Sequence, residues 1–221
     1  MADFTAYFQI LRANEGGYCN RPDDSGGETY RGIARKKNPQ WNGWALVDAT
    51  KARLYGRGLV PATDWLPLSH TLEADPAIGD RVLAFYKPQY WDTLGLDQLT
   101  SQSVADQIAD HGVNAGVGRA ARMVQQLLNT EFGCSLPTNG QQIPQTVAAL
   151  NAVDARTFYG HFVAMRQAFY HYLAASLAPA PGPELAAWYQ FFAVDLGLPR
   201  NPNLNHDLDS WLSRTQVPFT A

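Results

Sequence analysis

Four carboxylates fall within fourteen residues near the start of the chain: Glu15, Asp23, Asp24 and Glu28. They stand among turn-formers, with Gly16-Gly17 directly after Glu15 and Ser25-Gly26-Gly27 between Asp24 and Glu28, and beside Tyr18 and Tyr30. Two carboxyl groups at a fixed separation are the basic equipment for splitting a glycosidic bond. One protonates the leaving oxygen, while the other activates a water or stabilises an oxocarbenium-like transition state. A Gly-rich loop beside a rigid element is a common way to present such charges, so these residues point to a carboxylate-based hydrolase. A solvated acidic turn has the same composition, because Asp, Ser and Gly are ordinary turn residues.

The order of the residues is more specific than their types. Glu15-Gly16-Gly17-Tyr18, followed by Pro22-Asp23-Asp24-Ser25-Gly26-Gly27-Glu28-Thr29-Tyr30-Arg31-Gly32-Ile33, resembles the signature of glycoside hydrolase family 108, the bacterial and phage N-acetylmuramidases. That signature reads E-G-G-Y, then P-x-D-x-G-G-x-T-x-x-G-I. The Glu-x8-Asp spacing and the T-x-x-G-I run are also similar to the phage-type lysozymes. The resemblance implies that Glu15 is the catalytic acid. It makes Asp24, at the fixed Asp of the pattern, the second carboxylate, and leaves Asp23 and Glu28 at variable positions. Thr29 would position a water for Asp24.

Further matches extend the resemblance to roughly residues 4–175. Tyr90-Trp91 is similar to a pair common in the family, and Asp110-His111-Gly112-Val113-Asn114-Ala115-Gly116 resembles its D-x-x-V-N-x-G segment. Arg166-Gln167-Ala168-Phe169-Tyr170 is similar to R-x-x-Y-Y, and Trp211-Leu212-Ser213-Arg214 to a terminal W-x-x-R. Asn139-Gly140-Gln141-Gln142-Ile143-Pro144-Gln145-Thr146 matches the D-G-x-I-G-P-x-T turn of the peptidoglycan-binding-like region only in part. There Asn replaces Asp and one fixed glycine is missing. Tyr18, Tyr30, Tyr90, Trp91 and Asn114 are the candidate substrate-binding residues; Asn114 can reach an N-acetyl group or be a buried side chain satisfied by backbone. The implied substrate is peptidoglycan, cut at the β-1,4 bond between N-acetylmuramic acid and N-acetylglucosamine. The implied fold is mainly α, lysozyme-like and two-lobed with a cleft, and carries a small loop or hairpin region after the first helix. The expected division is 1–97, a muramidase lobe carrying the acid, and 98–221, a helical peptidoglycan-binding-like lobe.

The elements that must position Glu15 can be read from local pattern. Phe4, Tyr7, Phe8 and Leu11 follow the i, i+3, i+4, i+7 rule and predict a helix over Phe4–Asn14, capped by Asp3 or Thr5. Glu15 then sits at the helix C-terminus, where the dipole disfavours negative charge, as a general acid requires. Thr29 to Ile33 has strand character. The stretch from Asn38 to Ser69 carries Trp41, Trp44 and Trp65, broken by prolines. It reads as a glycan-cleft lining for one or two of the tryptophans or as a packed irregular connection, with a short helix around Asp48 to Tyr55. Asp75-Pro76 starts a helix with Ile78, Val82, Phe85 and Tyr86 on its apolar face, which Lys87-Pro88 should interrupt. Ser103 should cap a long helical stretch broken by glycines. Asp154 to Leu177 is the longest helix by pattern, with Phe158, Phe162, Met165, Phe169 and Tyr172 as a core stripe. Residues 179–183 read as a stiff Pro-rich linker, Glu184 to Val194 as a helix, and the tail from Gln216 as loose.

Composition narrows the alternatives. A chain of 221 residues at 46% hydrophobic can bury one large core or two small ones. Its six Trp and 12% aromatic content suit sugar stacking as well as a core. A net charge of -3 without a Lys/Arg run gives no case for nucleic acid, and no apolar run approaches the roughly 20 residues of a membrane helix. The five histidines show no i, i+4 pair, so neither a metal nor another cofactor is expected. Two distant cysteines, Cys19 and Cys134, are too few for a disulfide scaffold. Cys19 with a histidine is the alternative equipment, for a thiol-dependent wall amidase or endopeptidase, but no helix N-terminus is visible to activate it. A non-catalytic wall-binding or adaptor protein is the other alternative. Met1-Ala2-Asp3-Phe4 lacks the basic-then-apolar pattern of a secretory signal. The expectation is synthesis in the cytoplasm and action on the wall after holin-type release or dedicated secretion. In the second case an immunity protein would occupy the cleft.

Overall fold

The computed structural model describes residues 1–21, 27–56, 65–141, 144–176 and 184–220. It is mainly helical with one small sheet, a lysozyme-like class. The chain forms two compact units, one made of Phe4–Gln89 and the other of Met1–Asp3 with Tyr90–Ala221. Residues 90–97, expected with the first lobe, thus group with the second.

In the first unit, α1 (Phe4–Asn14) buries Phe4, Tyr7, Phe8 and Leu11, the stripe expected of it. The amide of Glu15 still reaches the Leu11 carbonyl (2.8 Å), so the helical path ends on that residue. A three-stranded antiparallel sheet follows: β1 (Tyr18–Cys19), β2 (Thr29–Tyr30) and β3 (Ile33–Ala34), in that order. Tyr18 pairs with Tyr30 and Cys19 with Thr29, while Tyr30 pairs with Ile33. The β2–β3 turn is Arg31-Gly32, with φ of 48° and 74°. Two positive φ values in a two-residue turn match the twist of the flanking strands, though the first is unfavourable for any residue with a Cβ.

Next come α2 (Trp44–Tyr55), α3 (Leu66–Glu73) and α4 (Pro76–Tyr86). The α3 helix forms where sequence pattern suggested irregular chain, and Pro67 is tolerated in its first turn, where an amide has no intrahelical partner. Asp75 caps α4 by accepting from the Ala77 amide (2.9 Å), with Pro76 at the first helical position. Lys87-Pro88 does not break the chain as expected. The helix widens into a π-turn over Lys87–Asp92, which accommodates a proline that lacks an amide.

The second unit is built on α5 (Gln102–Ala115) and α6 (Val117–Phe132), separated at Gly116 with φ of 96°. Ser101, not Ser103, caps α5; Ser103 is buried inside the first turn and bonds Thr220 instead. Then come α7 (Pro144–Ala152) and α8 (Ala155–Leu173), where Asp154 caps through the Thr157 amide (2.8 Å). All five residues of the expected α8 stripe are buried. The helix α9 (Glu184–Gln190) runs into a π-turn at Phe191–Asp195, and α10 (Leu208–Ser213) follows a 3-10 turn. The tail, expected to be loose, is anchored. Thr220 donates its amide to Ser103 Oγ (2.9 Å), and the Phe219 ring lies between Tyr159 and Arg156. The Pro-rich segment 179–183 lies outside the described residues. Among the described residues, no helix is long and apolar enough to cross a membrane.

Candidate functional site

Glu15 leaves α1 half-buried, and its environment is set by the Arg31-Gly32 turn. Arg31 is 8% exposed and reaches back to the end of α1, donating to the carbonyls of Arg12 and Glu15 (3.1 Å to the latter). A cation at a helix C-terminus satisfies orphan carbonyls and complements the dipole. Its other nitrogen holds Glu73 at 2.6 Å, and this contact keeps the Glu73 carboxyl below its usual value. These bonds, with the Arg31 amide on Gly17 (3.3 Å), compensate its left-handed backbone.

Gly32 is the second half of the device. A Cβ there would lie 2.4 Å from Glu15 Oε2 and 2.6 Å from the Tyr86 hydroxyl. The carboxyl and the phenol therefore share the bare face of Gly32. Tyr86, at the end of α4 and 3% exposed, donates to the Arg31 carbonyl (2.8 Å). Arg12, Arg31 and Glu73 also line an open pocket of about 80 Å³, together with Phe8, Tyr30 and Gly79.

The hairpin that carries Thr29 is braced from beneath. Ser69 of α3 accepts from the Tyr18 amide (2.9 Å), and Gly17 permits this because a Cβ would sit 2.6 Å from Ser69 Oγ. Glu28 accepts from the Tyr18 hydroxyl (2.8 Å) and pairs with Arg35 and Lys51, both at 2.6 Å. Arg35 and Lys51 also meet Asp48. Burial, with the adjacent Glu28 carboxylate, raises the Tyr18 phenol well above its ordinary value; burial likewise raises Tyr30.

Among the other candidates, Asp24 lies outside the described residues, as does Asp23. Thr29 is half-exposed and donates its hydroxyl to the Gly27 carbonyl (3.1 Å). Tyr18 and Tyr30 are 4% and 2% exposed, so their rings belong to the core rather than to a sugar-stacking surface. Tyr30 stacks on Trp41, which meets Trp44 edge-on. Both indoles are buried and donate to backbone carbonyls, so they too are core rather than cleft. In the second unit Trp91 is fully buried and donates to Asp97 (2.5 Å), Tyr90 is half-exposed on the π-turn, and Asn114 is half-exposed near the end of α5. Cys19, which forms no disulfide, stands on β1 opposite Thr29, and His70 is the single histidine of the unit that holds it.

Three sequence segments singled out above meet at one place in the second unit. Asp110, 2% exposed, pairs with Arg166 (2.7 Å) and Arg214 (2.8 Å). Tyr170 accepts from Arg166 and packs on Trp211. Their role is architectural, tying α5, α8 and the end of α10 together. Sequence reading missed Arg31 and Tyr86 as parts of the Glu15 surroundings. A buried arginine is visible only through its partners. Tyr86 carried the period of an ordinary core position.

The glycosyl hydrolase 108 family model matches residues 8–116. No curated protein matches the chain. Among solved structures, that of Brucella abortus SagA is similar at 18% identity, over 97% of this chain and 96% of that one, with a TM-score of 0.48. The matched stretch contains Glu15, β1 to β3, α4 and the Asp110–Gly116 segment, so over residues 8–116 the chain is similar to glycosyl hydrolase family 108.

Proposed function

We propose that the protein is a peptidoglycan hydrolase of the muramidase type, cleaving the β-1,4 bond between N-acetylmuramic acid and N-acetylglucosamine with Glu15 as general acid. The match of residues 8–116 to a glycoside hydrolase family supports the reaction class. The observation that carries the residue assignment is the seating of a half-exposed carboxyl against Gly32, at a helix end clamped by a buried arginine. Such a group is held, yet open to a substrate, as proton delivery requires.

In the proposed reaction Glu15 gives its proton to the glycosidic oxygen, the C1–O bond breaks with its electron pair on that oxygen, and water adds to the sugar. Asp24 is the proposed partner for that water. Glu28 is a poor rival, because Tyr18, Arg35 and Lys51 already occupy its oxygens. Thr29 spends its hydroxyl proton on Gly27 and so offers the water an acceptor.

The test is release of reducing sugar from purified sacculi. Glu15→Gln keeps a native circular dichroism spectrum and loses activity by about 10²- to 10⁴-fold, the range of acid catalysis. Near-native turnover would overturn the assignment. A wall substrate also requires delivery, by holin-type release or a secretion machine, and in the second case an immunity protein covering the Glu15 site. Export of the chain to the periplasm should lyse cells that tolerate it in the cytoplasm. Equal tolerance in both compartments would count against peptidoglycan as substrate.

A further inference from the structure

Proton delivery needs a carboxyl group whose plane is fixed, because a misplacement of about 1 Å costs on the order of 10²-fold. Arg31 fixes the backbone of Glu15 by holding its carbonyl, but that contact leaves the side-chain torsions free. The bare α-carbon of Gly32 faces both that side chain and the Tyr86 hydroxyl: a Cβ there would stand 2.4 Å from Glu15 Oε2 and 2.6 Å from the Tyr86 oxygen. Tyr86 is itself immobilised, being 3% exposed on α4 with its hydroxyl on the Arg31 carbonyl at 2.8 Å.

We propose that Tyr86 is the positioning residue of the acid: its hydroxyl and the bare face of Gly32 form a seat for one oxygen of the Glu15 carboxyl, leaving the other to deliver the proton. The inference rests on the reading of Glu15 as general acid. The proton leaves the unseated oxygen for the glycosidic oxygen, the C1–O bond breaks toward that oxygen, and negative charge is left on the carboxylate. The Tyr86 O–H can then turn from the Arg31 carbonyl to the seated oxygen, supplying a hydrogen bond as that charge develops. Gly32 is required twice, once for its φ of 74° and once for the space its α-carbon leaves.

The experiment compares two substrates that differ in their need for an acid. One is a peptidoglycan-derived oligosaccharide with an unactivated sugar leaving group. The other is the 2,4-dinitrophenyl glycoside of the same sugar, whose leaving group departs without protonation. Tyr86→Phe keeps the ring and its packing. It should lower kcat on the oligosaccharide by about 10- to 100-fold with KM unchanged, and leave the dinitrophenyl glycoside within about twofold. Gly32→Ala, checked for folding by its melting curve, should show the same selectivity. Glu15→Gln is measured in parallel. If Glu15→Gln is selective for the oligosaccharide and Tyr86→Phe is not, the role of Tyr86 is wrong and the acid assignment stands. If Glu15→Gln is not selective either, the acid assignment fails and the seat falls with it. An equal loss on both substrates in Tyr86→Phe would mark Tyr86 as merely structural.

Discussion

Residues of one type take different fates in the first unit, and neighbours decide which. Glu28 is wrapped by Tyr18, Arg35 and Lys51, and its side chain is 14% exposed. Glu28→Gln should therefore act on stability. We expect a loss of about 1–3 kcal/mol, the scale of hydrogen bonds to charged groups, read as a lower urea midpoint. Among the loop acids Asp24→Asn should cost much more turnover than Asp23→Asn, and the reverse order in a sacculus assay would refute the choice of Asp24. Stereochemistry tests the same pair. A gap of roughly 6.5–9.5 Å between two such carboxyls leaves room for water and implies inversion, which is the outcome we expect. Following the first-formed anomer by NMR checks this, and a retained β-anomer would contradict it.

The helix α5 illustrates what an element can impose on its residues. Positions 103 to 112 are all buried, so its polar side chains must be satisfied inside the protein. His111 is fully buried between Met123 Sδ (3.0 Å) and the Tyr170 hydroxyl (3.4 Å), and burial followed by repulsion from Arg166 drives it well below the ordinary imidazole value. Its contribution is present above the unfolded value, about 6.5, and is lost as pH falls. Asp106 works in the opposite sense. Burial first, and then the charge of Asp110, push it up to about 6, while Gln102 partly offsets this with a hydrogen bond (2.6 Å). A carboxyl raised in the folded state binds more protons there than when unfolded. Stability therefore falls as pH rises from the ordinary carboxylate value, about 4, to about 6, and the penalty is complete above that. Asp106→Asn keeps the acceptor for Gln102 and removes the ionisation. It should stabilise the protein at pH 7 by roughly 2 kcal/mol and make no difference near pH 4, with urea unfolding at both pH values as the check.

At the scale of the molecule, the second unit depends on a buried charge cluster that spans most of its length. Asp110 on α5 neutralises Arg166 on α8 and Arg214 after α10, and Arg166 is wholly buried. A buried pair adds little net stability over an apolar isostere, but removing one member leaves uncompensated charge. Asp110→Asn leaves two arginines facing a neutral amide. It should cost about 3–5 kcal/mol in urea unfolding, and a loss under 1 kcal/mol would show that the cluster is better solvated than its burial implies. The anchored tail belongs to the same architecture, since Thr220, Phe219 and Val217 meet Ser103 and Tyr159 on the two helices that carry Asp110 and Arg166.

By itself the sequence determined what depends on local spacing. The stripe of α1, the Asp75-Pro76 start of α4, the Asp154 cap and the aromatic stripe of α8 were all legible, because helix period and caps involve residues at most four apart. The order of residues from Glu15 to Ile33 likewise pointed to the family, since a turn needs given residue types at given positions. Tertiary structure alone decided the rest. Ser101 rather than Ser103 caps α5, because the Ser103 hydroxyl bonds a residue near the other end of the chain. Sequence favoured the cleft for one or two of the tryptophans, but Trp41 and Trp44 are buried with their indoles donating to the carbonyls of Arg81 and Asn38. Tyr86 had the spacing of any buried helix residue. Its place beside Glu15 arises only when α4 folds against the hairpin and Gly32 leaves the space between them open. Periodicity records which way a side chain points along its own element, and the contact it makes there is set by an element many residues away.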